Sequence, residues 1–190
     1  MNAQHQTVRS GNIEPYNEAL RTAAGSSGQE QELQYLTFML GDESFAIGIL
    51  HIKEIIEYGQ LTRVPRMPEF VRGVINLRGA VVPVIDLKVY LGKSASQITR
   101  RSCIVIVEIG HEDEKHDTGV LVDAVSAVLE IPASDIEPAP ALGAHIRSDY
   151  IAGMGKVNGK FVILLNIGVV LSLDDRANLA GMGDLADARA

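Results

Sequence analysis

The chain has 190 residues, 46% of them apolar, and a formal net charge of −7. That is enough apolar material for one domain or two small ones, while the acidic balance argues against a nucleic-acid partner, whose binding draws on clustered Lys and Arg. A single cysteine excludes an intramolecular disulfide and fits a reducing compartment, here the cytoplasm.

Residues 1–30 are polar, carry Gly-Ser-Ser-Gly at 25–28 and read as a flexible N-terminal leader, compatible with a short helix around Tyr16 to Ala23. Order is expected from Leu33, where Leu36, Phe38 and Leu40 alternate with other residues before the turn Gly41-Asp42-Glu43 and a return strand from Ser44 to Ile49. The spacing then changes to Ile49, Ile52, Ile55 and Ile56, which predicts a helical or irregular turn rather than a flat strand. Val64-Pro65-Arg66-Met67-Pro68 is a rigid connector, since proline donates no ladder hydrogen bond.

Gly73 to Leu91 is the most informative stretch. Val74-Ile75 and Val81 to Ile85 flank a polar corner, Asn76-Leu77-Arg78-Gly79, predicting two buried strands joined by a glycine-assisted turn that presents Arg78. Pro83 within it implies a strand edge or a bulge. Polar residues 93–101 mark a seam. Beyond it, Cys103 to Ile109 and Thr118 to Val122 read as strands around an acidic hairpin tip containing His111 and His116, which reads as solvated rather than metal-binding. Cys103 sits inside an apolar run and reads as a core residue. Asp86 and Asp123 read as structural carboxylates that accept backbone N–H groups, because no acid, nucleophile or oxyanion donor accompanies them.

The chain also repeats itself. An offset of eighty lays Gly73 on Gly153, Gly79 on Gly159, Asp86 on Asn166 and Leu91 on Leu171. An offset of seventy-three lays Ile47, Ile49, Ile52, Ile55 and Glu57 on Val120, Val122, Val125, Val128 and Glu130. Two ordered matches predict two copies of one all-β unit, 33–91 and 101–173, each a small barrel packed on the other, with a C-terminal tail at 174–190. The longest apolar run, Phe161 to Leu173, is interrupted by Asn166, Gly168 and Ser172. It falls short of the ~20 residues a bilayer span needs.

No phosphate-binding loop, HExxH, CxxC or Gly-x-Ser-x-Gly motif is present, so neither a cofactor, a metal nor a catalytic residue is expected. The order of Leu40-Gly41, Ile52-Lys53-Glu54-Ile55, Gly73-Val74-Ile75-Asn76-Leu77-Arg78-Gly79, Val82-Pro83-Val84-Ile85-Asp86-Leu87, Val122-Asp123 and Leu165-Asn166-Ile167 resembles the CheW family of chemotaxis coupling proteins. The resemblance runs from about Leu33 to Leu173, within a domain expected over 31–173. It implies a pair of SH3-like five-stranded β-barrels around a shared hydrophobic core, with short helical turns. It also implies a non-enzymatic adaptor that couples the cytoplasmic tip of methyl-accepting chemoreceptors to the regulatory domain of the chemotaxis histidine kinase CheA. Receptor or kinase contacts carry over to Ile52, Glu54 and Arg78, and Gly73, Asn76, Gly79, Asp86 and Asp123 to turn and motif positions. Two rivals are an adaptor of the same family serving a non-flagellar or twitching array, and a small-molecule-binding or hydrolytic β-barrel using Asp123 and a histidine.

Overall fold

The computed structural model describes residues 13–31, 33–110, 112–140 and 148–171. The expected tail at 174–190 and His111 lie outside the described residues. Helix α1 spans Glu14–Ala24 and the single turn α2 Gly28–Gln31. The strands follow as β1 Gln34–Leu40, β2 Glu43–Gly48, β3 Ile52–Glu57, β4 Val71–Leu77 and β5 Ala80–Asp86. After the short helix α3, Leu87–Tyr90, come β6 Cys103–Ile109, β7 His116–Val122, β8 Ala124–Glu130, β9 Ile136–Glu137, β10 Ile151–Val157 and β11 Lys160–Leu165.

These strands form two mixed sheets, ordered β8-β1-β2-β11-β10-β9 and β3-β6-β7-β5-β4, so the molecule is predominantly β, as expected. The repeat is present too, but the sheets are not the two sequence copies. Hairpin β1–β2 of the first copy is inserted between β8 and β11 of the second, and hairpin β6–β7 of the second is inserted between β3 and β5 of the first. The two junctions correspond, β2 running parallel to β11 and β7 parallel to β5. Chain length dictates this exchange. Between β7 and β8 lies Asp123 alone, and since a tight hairpin needs about two loop residues, β8 cannot fold back onto β7 and crosses to the other sheet. The expectation of contiguous barrels at 33–91 and 101–173 is corrected accordingly.

The crossings create three cores. One lies between the sheets and gathers Leu36, Phe38, Ile47, Ile55, Ile85, Val105 and Val120. Each sheet also curls round a smaller one, with Val82, Val84, Ile104, Ile106 and Leu121 in one and Ala46, Ile131, Val162 and Leu164 in the other. Alternate residues of β6 therefore face different cores, which is why its sequence is apolar throughout instead of alternating.

The predicted turn over 49–57 is also corrected. Only Ile49–His51 form a 3-10 turn, and β3 is a strand whose register against β6 shifts between Ile52 and Glu54. That bulge inserts one residue, which places Ile52 and Ile55, three apart, against the same core. Pro83 stands opposite Val74, one residue before the β5–β7 ladder begins at Val84, so its missing N–H interrupts nothing there.

The leader contains the short helix that the sequence allows around Tyr16 to Ala23, but that helix is packed and not loose. Residues 14–24 are helical and packed: Leu20 and Ala23 are buried, and Ile13 and Tyr16 lie against the shared core. Positions 13, 16, 20 and 23 share one helix face, and this narrow stripe holds an otherwise polar segment in place.

Candidate docking site

The β4–β5 hairpin turns through Arg78 and Gly79, with φ of 50° and 87° and with Leu77 opposite Ala80. Both central residues are left-handed, the geometry of a type I′ turn that matches strand twist. Gly79 takes it without cost, and its N–H donates to Asn76 Oδ1 at 2.8 Å. Arg78 occupies a conformation that disfavours a side chain; the equivalent turn at β10–β11 uses Asn158 there, with φ of 51°.

What Arg78 gains is a partner on another strand. Its Nη1 and Nη2 donate to Glu54 Oε1 and Oε2 at 2.6 and 2.9 Å, a fork on a carboxylate that joins β3 and the β4 hairpin, the two edges of one sheet. The Glu54 carboxylate, by hydrogen bond and then by charge, raises the already high pKa of the guanidinium. Arg78 remains 74% exposed and Glu54 23% exposed, so the pair presents its cationic half to solvent. Ile52, two residues before Glu54 on β3, is half-buried against the shared core. The three residues assigned to docking thus fall on adjoining elements, with Ile52 and Glu54 on one strand and Arg78 held to that strand by its ion pair.

Lys53, between Ile52 and Glu54, is exposed and pairs with Asp117 Oδ1 at 2.8 Å and Glu108 Oε2 at 3.2 Å. Asp117 and then Glu108 raise its pKa, and Lys53 followed by Lys115 hold the Glu108 carboxyl below its usual range.

The remaining motif residues have architectural surroundings. Gly73 sits at a register shift of β4 with φ of 149°, where the chain at Thr62 passes in backbone contact. Asp86 is fully buried. Its Oδ2 accepts from Ser96 N–H at 2.9 Å, and its Oδ1 from the Ser96 hydroxyl at 3.0 Å and Lys88 N–H at 3.1 Å. Arg72 Nε lies 3.4 Å from the same carboxylate while its Nη2 donates to Ser96 O at 2.5 Å. Asp123, at the β7–β8 crossing, accepts from Gly41 N–H at 2.6 Å and sits 3.6 Å from Lys88 Nζ, so it fastens the β1–β2 turn to the crossing point. Among the described residues no group of three His, Cys, Asp or Glu side chains converges as a metal site would require.

One contact of this region lies outside the sequence reading. Asn17 of α1 donates from Nδ2 to Ile55 O at 2.9 Å and accepts from Ile55 N at 2.8 Å, covering both main-chain groups of the residue after Glu54. The signal available was the 13, 16, 20, 23 stripe, which marks the helix but not its seat.

Residues 34–175 match the family model described as the CheW-like domain. The chain is 34% identical over 158 residues to the chemotaxis protein CheW of Klebsiella aerogenes, covering 83% of this chain and 93% of that one. It is 31% identical over 153 residues to the protein FrzA of Myxococcus xanthus, covering 80% and 91%. Among solved structures it superposes on the scaffolding protein TtCheW from Thermoanaerobacter tengcongensis with a TM-score of 0.66 and 31% identity, over 75% of this chain and 90% of that one.

Proposed function

Because this chain belongs to the CheW-like family, a family of non-enzymatic chemotaxis adaptors, we propose that it couples the cytoplasmic tip of methyl-accepting chemoreceptors to the regulatory domain of the histidine kinase CheA. The receptor docks on Ile52, Glu54 and Arg78. This places the protein in the cytoplasm, held at membrane receptor arrays through its partners; among the described residues no helix is long and apolar enough to cross a membrane. Its mechanism is simultaneous occupancy of two surfaces, with no bond made or broken.

The observation that carries the reading is the exposed guanidinium of Arg78, fork-paired to Glu54 two residues along β3 from the half-buried, apolar Ile52. Glu54 fixes the direction of a group whose five N–H donors suit a carboxylate or carbonyl on a partner, and rigid Arg anchors of this kind dominate many interfaces. In free solution an ion pair this exposed contributes little to stability, so its geometry serves presentation better than folding.

The test is Arg78→Glu, alone and combined with Glu54→Arg. The single variant should lose pull-down of a receptor signalling-tip fragment by at least about tenfold, as expected for an anchor, with an unchanged circular dichroism spectrum. The reversed pair restores the ion pair but not the charge offered to the receptor, so binding should stay weak. Full binding by either variant would overturn the site. Similarity to FrzA is nearly as high as to the Klebsiella protein, and co-purification from cells assigns which array is served.

A further inference from the structure

We propose that α1 is an internal occupant of the seam between the two sheets, and that a receptor docking at Ile52, Glu54 and Arg78 must displace it. This rests on the docking site proposed above. Helix α1 lies against β3, β8 and the 49–51 turn. β3 and β8 are edge strands of different sheets and equivalent positions of the repeat, so one short helix closes the gap between the two edges.

Its attachment uses the surface a partner would need. Asn17 takes both main-chain groups of Ile55, the residue following Glu54 on β3, an edge strand of the kind on which a partner's backbone pairs. Ile13 and Tyr16 pack on the same core as Ile52. A ligand approaching Ile52 and Glu54 along the outer side of β3 therefore meets α1 at the next residue.

The helix is also built to leave. It has eleven residues, fewer than an isolated helix needs to persist in water, and begins at Ile13, which has no side-chain oxygen to cap the first turn. Of its side chains only Leu20 and Ala23 are buried, and the Arg21–Glu14 pair is exposed at both ends. Residues 25–27, Gly-Ser-Ser, and the single turn α2 link it to the sheets, so a released α1 stays at high local concentration and rebinds when the partner departs. Apparent receptor affinity is then reduced by the fraction of molecules in which α1 is docked.

Hydrogen exchange on the full chain tests this directly. Saturation with a recombinant receptor signalling-tip fragment should accelerate exchange of the α1 amides while β3 becomes protected. In parallel, Asn17→Ala should bind that fragment about fivefold or more tightly, its fold verified by unchanged protection of β6. Slowed or unchanged exchange in α1, or a variant that binds no better than the original, would overturn the proposal. Arg78→Glu is the separate control: if it binds normally, the docking site has failed, whereas its loss of binding with an unmoved α1 refutes the displacement alone.

Discussion

The carbonyl oxygen of Thr62 stands where a side chain on Gly73 would be, since an added Cβ would come within 2.5 Å of it. The approach is held by a bridge in which Val74 N–H donates to Thr62 O and Thr62 N–H to Val74 O, both at 2.9 Å. Gly73→Ala must break that bridge and also place a side chain at φ of 149°. Urea denaturation should show a loss of about 2 kcal/mol or more. Gly79→Ala, with open space around it and only its φ against it, should lose about 1 kcal/mol. Equal losses would show that crowding at Thr62 contributes nothing.

Asp86 and Asn166 occupy equivalent positions in the repeat but different surroundings. Asp86 is buried with Ser96 and Arg72, whereas Asn166 is exposed and its Oδ1 faces the Val169 N–H at 3.4 Å. Asp86→Asn leaves Arg72 without its counter-charge and should destabilise by about 3 kcal/mol. Asn166→Asp should change stability by no more than about 0.5 kcal/mol. Chemical denaturation of both variants measures the contrast.

Burial pushes the Cys103 thiol up, and Glu57 adds to the shift by charge. The thiolate is the reactive form, so an aromatic disulfide reagent at pH 8 should modify the native protein at least about 100-fold more slowly than the denatured chain, in which the one thiol titrates fully. Rapid modification under native conditions would contradict the packing of β6.

Glu108 has a depressed pKa in the folded state, so the unfolded chain binds more protons in the acid range. The stabilisation from its Lys53 and Lys115 partners is complete above its usual value of 4.5 and is lost as pH falls through the lower folded value. Lys53→Met should flatten that acid limb of the stability curve. An unchanged slope would mean the exposed pairs contribute nothing measurable.

Much of this could be read along the chain because it is local. The I′ turn at Arg78-Gly79, the β6 and β7 strands and the repeat all depend on residues within one hairpin or on spacing that survives duplication. The family motifs behave likewise, because Gly73, Asn76, Gly79, Asp86 and Asp123 each satisfy or permit a specific backbone arrangement. At β3 the apolar spacing points to a turn because a bulge gives a strand the three-residue spacing of a helical turn.

The main hairpins, their order and the family to which they belong are legible along the chain, because turn chemistry and alternating burial act over a few residues. Which hairpin enters which sheet, that Arg78 reaches Glu54, and that Asn17 covers Ile55 emerge from the folded arrangement. Those pairings bring together residues 24 and 38 positions apart, and the sheet order itself rests on crossings such as Asp123, too short to reverse the chain, which sends β8 on to the other sheet.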